Sequence, residues 1–144
     1  MLKSISEILE QCSKLSSVND RANFLRENES EPLKAILFYA LDPRAVWELP
    51  KGEPPYKPCD FLDQEARLYQ EARRLYLFIK GGNADLHVYK REKMFIQILE
   101  SVDAKDAKLL CSVKDKKIPY KGITANVVNT AFPGLIQEKE KEEK

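Results

Sequence analysis

The chain has 144 residues, 43% hydrophobic and 33% charged, with 24 Lys and Arg against 23 Asp and Glu for a formal net charge of +1. That length suits one domain with a real core, and the composition excludes both a disordered chain and a polycation that holds nucleic acid by bulk charge. No apolar run reaches the roughly 18–20 residues that cross a bilayer and no signal-like N-terminus is visible, so a cytoplasmic protein with no membrane partner is expected.

The first element is signalled by Ser4-Ile5-Ser6-Glu7, which has the form of a capping box, followed by Ile5, Ile8, Leu9, Cys12 and Leu15 at helical spacing. Ser17 or Asn19 is positioned to cap a second helix carrying Ala22, Phe24 and Leu25 and ending near Asn28. Ser30-Glu31-Pro32 sets proline in a first turn. Leu33, Ile36, Leu37, Tyr39, Ala40 and Leu41 follow as a third helix, which Asp42-Pro43 stops. Four of the eight prolines lie between Leu49 and Pro58, which reads as an extended surface crossover with Trp47 as its anchor on the core.

Beyond it, Phe61–Lys80 reads as one long helix, with an apolar stripe from Leu62, Ala66, Leu68, Tyr69, Ala72, Leu75, Tyr76 and Ile79, ended by Gly81-Gly82-Asn83. Helices over Tyr89–Ser101, Asp103–Val113 and Thr124–Pro133 complete the chain. Gln137–Lys144 is a mixed-charge, frayed tail. Strand alternation is missing throughout. The expectation is an all-α fold: a single compact helical domain of about six to seven helices over residues 1–136, with a proline-rich crossover and the tail 137–144.

Little in the chain suits catalysis. Cys12, Cys59 and Cys111 are widely spaced and unpaired in sequence, so neither a disulfide frame nor a metal site is expected. His87 is the only histidine, which removes most acid–base and triad schemes and leaves it a surface or capping role. Asp103 and Asp106 are explained by the charge of a helix start without a cation between them. No catalytic residue and no cofactor is assigned, and an enzyme is not expected.

One constellation remains. Residues 105–121 hold six lysines and two aspartates, and Lys114 to Thr124 set positive charge, a turn-forming glycine and a capping threonine between two helices. Backbone N–H groups and cations presented together are how proteins hold phosphate. The candidate residues for contacting a nucleic-acid backbone are therefore Lys105, Lys108, Lys114, Lys116, Lys117, Tyr120, Lys121, Gly122 and Thr124, with Lys105 and Lys108 on one side of their helix. Tyr120 has two roles open to it, packing over the turn or stacking on a sugar edge.

The same residues carry a resemblance. Asp106–Asp115, then Gly122-Ile123-Thr124, Val128 and Phe132-Pro133-Gly134-Leu135-Ile136, resemble the end of the N-terminal DNA-binding domain of ATP-dependent DNA ligases, the Phe-Pro-Gly-Leu-Ile ending being most similar to ligases of large tailed phages. Ile8-Leu9, Ser16-Ser17, Arg21, Leu25, Asn28 and Leu33-Lys34 fall in a similar order, so the likeness spans most of the chain. The Lys-Asp-Lys-Lys-x-Pro-Tyr-Lys-Gly ending is also similar to that of a group of small tailed-phage proteins, which supplies no function. The turn from Asp115 to Gly122 is longer than in ligases, and the Lys-x-Asp-Gly attachment motif is missing.

The resemblance thus implies a non-catalytic accessory module that binds double-stranded DNA through its phosphates, without strand sealing. The alternative is a phage protein-interaction module that docks on a host or replication protein. Near-neutral charge, the proline-rich segment and an exposed Trp47-Glu48-Leu49 would favour it.

Overall fold

Local capping chemistry sets most of the helix boundaries. The structure, a computed structural model, describes residues 3–59, 64, 66–81 and 87–136. Helix α1 (Ile5–Ser13) starts where the Ser4 hydroxyl accepts the Glu7 N–H at 3.1 Å; α2 (Val18–Glu27) is capped by Ser17 and α3 (Glu31–Leu41) by Ser30. After the crossover come α4 (Arg67–Glu71), a 3₁₀ segment (Ala72–Phe78), α5 (Val88–Ser101), α6 (Ala104–Lys114) and α7 (Ala125–Ala131). His87, Asp103 and Thr124 cap the last three with their side chains. His87 therefore has the capping role expected of it, its Nδ1 accepting the Tyr89 N–H at 3.2 Å.

The fold is all-α among the described residues, with seven α-helices around one core. Helix α6 lies at its centre, packed against α1, α3 and α5. Ala107, Leu109, Leu110, Cys111 and Val113 are buried on several sides of it, leaving Lys105 and Lys108 as its exposed positions. Asp106 is wholly buried, where its Oδ1 accepts the Ser6 N–H at 2.9 Å, so it completes the start of α1 rather than decorating α6.

The long helix expected over Phe61–Lys80 is corrected where it is described. Five residues of α-helix give way to seven of 3₁₀, and Ile79 then pairs as an isolated antiparallel bridge with Trp47. Ala72, Leu75 and Phe78 are the buried positions, an interval of three that matches a 3₁₀ turn and leaves Tyr76, expected inside, half exposed. Glu48 N–H to Phe78 O and Lys80 N–H to Val46 O, both 2.7 Å, draw the end of this segment out of the helix. The expected positions Phe61, Leu62, Gly82 and Asn83, and the tail from Gln137, lie outside the described residues.

The crossover is extended and tied down. The Trp47 ring packs among Tyr39, Phe78 and Phe95 with centroids 5.9–6.5 Å away, and its Nε1 donates to Tyr39 O at 3.1 Å. The exposed Trp47-Glu48-Leu49 that would favour a protein-docking module is thereby corrected: Trp47 and Leu49 both pack against the core.

Candidate nucleic-acid interface

Helix α6 ends at Lys114 with Asp115 as its C-cap. Lys116 follows in the left-handed conformation at φ 64°, its N–H bonded to Val113 O (2.8 Å) and the Lys117 N–H to Ser112 O (2.9 Å). These two bonds form a Schellman ending, whose left-handed position is ordinarily glycine. The chain then runs out through Ile118, Pro119 and Tyr120 and turns at Gly122 into α7.

The basic residues of this turn divide into two groups. Lys114, Lys116 and Tyr120 turn inward. The Lys114 ammonium, 2% exposed, donates to Pro50 O at 2.6 Å and to the Asp115 carboxylate at 2.7 Å. Asp115 also accepts the Gly52 N–H. Burial pushes its carboxyl upward, but the bonds from Lys114 and Gly52 outweigh that and hold it below the usual range. The Lys116 ammonium donates to Tyr39 O, Asp42 O and Ala45 O at 3.0, 2.6 and 2.8 Å, and burial pushes it below the usual lysine range. Tyr120 shares a hydrogen bond between its hydroxyl and that of Ser6 on α1. The expectation that Lys114 and Lys116 offer charge to a phosphate is corrected: Pro50 O and the Asp115 carboxylate engage Lys114, and three backbone carbonyls engage Lys116.

Lys105, Lys108, Lys117 and Lys121 face outward. Lys105 lies 3.8 Å from Glu10, whereas Lys108, Lys117 and Lys121 make no ion pair with a described residue. Lys108 and Lys117 line one shallow depression of about 500 Å³ with Pro119 and Tyr120, which Glu53 and Asp115 also border. Thr124 is exposed, its hydroxyl accepting the Val127 N–H at 3.3 Å.

Sequence reasoning passed over Arg21 as a site residue. Helix α2 runs parallel to α7: Arg26 donates to Thr130 O and Ala131 O at its far end, while Arg21 lies against Gly122 at its start. A Cβ on Gly122 would sit 2.5 Å from the guanidinium carbon, so glycine here lets an arginine stack on the backbone. Arg21 makes no ion pair with a described residue, and its Nε is buried without a hydrogen-bond partner. The only sequence signal was its place in the ligase-like order of residues.

These features describe an all-helical domain whose basic turn leaves Lys117 and Lys121 exposed and outside any ion pair among the described residues. The chain belongs to a family of unknown function, DUF6433, whose model matches residues 8–120. The match starts within α1, takes in the helices from α2 to α6 and ends at Tyr120, short of Lys121, Gly122 and α7. No curated protein matches the sequence.

Proposed function

We propose that this protein is a non-catalytic accessory module that binds double-stranded DNA by its phosphate backbone, without regard to sequence. One observation carries the reading. Arg21, a cation with no ion pair among the described residues, is stacked on Gly122 next to the exposed Lys121, while the exposed Lys108 and Lys117 share one depression. An unpaired guanidinium beside exposed ammonium groups suits phosphate oxygens. The resemblance to ligase DNA-binding domains supports the same reading and suggests DNA metabolism as its setting. Lys105 extends the face along α6. Lys114, Lys116 and Tyr120 are support rather than contacts.

A salt titration of binding to a labelled duplex tests this. Four phosphate contacts give a slope of log K against log salt of about −3 to −4 and micromolar affinity at about 50 mM salt. Neutralising Arg21, Lys108, Lys117 and Lys121 together to Gln should flatten that slope. Absence of binding at about 50 mM salt would end the proposal.

A further inference from the structure

Lys116 stands where helices ordinarily place glycine. The other described residues with positive φ are Gly52, Gly81, Gly122 and Gly134, so among the described residues every left-handed position but this one is glycine. A residue held there against its preference is kept by what its surroundings demand. Its ammonium has three N–H groups, and three carbonyls at the end of α3 receive them at 2.6–3.0 Å. The neighbours act alike: Lys114 holds Pro50 O, and Asp115 holds the Gly52 N–H. Three consecutive charged side chains are thus turned onto the backbone between Tyr39 and Gly52, and the next two lysines, Lys117 and Lys121, point to solvent.

We infer that Lys116 is the positioning residue of the basic turn: its ammonium, locked onto the carbonyls of Tyr39, Asp42 and Ala45, fixes where Lys117 and Lys121 stand. The clasp makes the presentation of surface charge depend on the end of α3, far off in sequence. Its functional half rests on the DNA-binding reading; its structural half does not.

Two variants separate the clasp from the left-handed backbone. Lys116→Met loses the donors and keeps the disfavoured conformation, whereas Lys116→Gly loses the donors and suits the conformation. Limited trypsin digestion after Lys117 and Lys121, followed by mass spectrometry, reports how often the turn opens. Both variants should be cut about tenfold faster than wild type at these sites. A Lys116→Gly protein cut no faster than wild type overturns the inference, because the cap alone would then hold the turn. On duplex DNA, both variants should bind several-fold more weakly with an unchanged salt slope, whereas Lys121→Gln lowers the slope by about one contact. A slope lowered as much by Lys116→Gly as by Lys121→Gln makes Lys116 a phosphate contact and also overturns the inference. Faster cleavage in the variants together with a wild type that does not bind DNA sinks the DNA reading alone and leaves the clasp standing.

Discussion

The contact between Gly122 and Arg21 gives a quantitative test with its own control. Gly122 and Gly134 share nearly the same φ, +83° and +82°, but an added Cβ meets nothing within 4 Å at Gly134 and the Arg21 guanidinium at 2.5–2.9 Å at Gly122. Gly134→Ala should therefore cost only the left-handed conformation, about 1 kcal/mol. Gly122→Ala adds displacement of the guanidinium. That group is the far end of a flexible side chain and can yield, so the addition is about 1 kcal/mol rather than the upper range for overpacking. The expected loss is about 2 kcal/mol, or a melting temperature lower by about 4–8 °C. Urea unfolding followed through Trp47, the only tryptophan, measures both variants. Adding Arg21→Ala to each should erase the difference, and the double-mutant cycle isolates it. Equal losses at the two glycines, or additive effects of Arg21→Ala and Gly122→Ala, would refute the stacked geometry.

Other expectations concern the supports of the site. Asp115 is held below its usual pKa, so its contribution to stability is present above about pH 4 and is lost as pH falls through its lower folded value. Asp115→Asn should lower stability at neutral pH by about 1–2 kcal/mol and flatten the acid limb of a urea-midpoint profile; an unchanged limb would count against the Lys114–Asp115 pair. Burial pushes the Cys111 thiol up to about 11, and Cys12 is buried with its pKa also raised. At pH ~8 a thiol reagent should react first with the half-buried Cys59, the other two following only on unfolding; fast labelling of Cys111 in the folded protein would contradict its packing. Burial likewise pushes Tyr56 up to about 12, with Tyr39 and Tyr69 also raised, so Tyr56 should ionise last in an ultraviolet titration and Tyr56→Phe should remove that final step. Leu110→Ala, in the fully buried face of α6, should cost about 2–5 kcal/mol by thermal or urea unfolding, and a loss below about 1 kcal/mol would place α6 outside the core.

Helix starts were legible in the sequence because capping is local. Ser4, Ser17, Ser30, Asp103 and Thr124 each bond an N–H two or three residues ahead, which spacing alone foretells. The apolar positions of α1 and α3 followed from the 3.6-residue period, and helical spacing through most of the chain carried the all-α class. The segment after the crossover was misread because Ala72, Leu75 and Phe78 fit a period of three as well as a helical stripe, and the pull that ends it comes from Val46 and Glu48. The candidate site divides in the same way. That basic residues cluster around Gly122 is a property of the sequence. Which of them keep their charge free was decided by distant segments: the end of α3 and the crossover take Lys116 and Lys114, and α2 brings Arg21. A lysine can turn inward where carbonyls replace its water, and only the folded chain shows whether carbonyls are there.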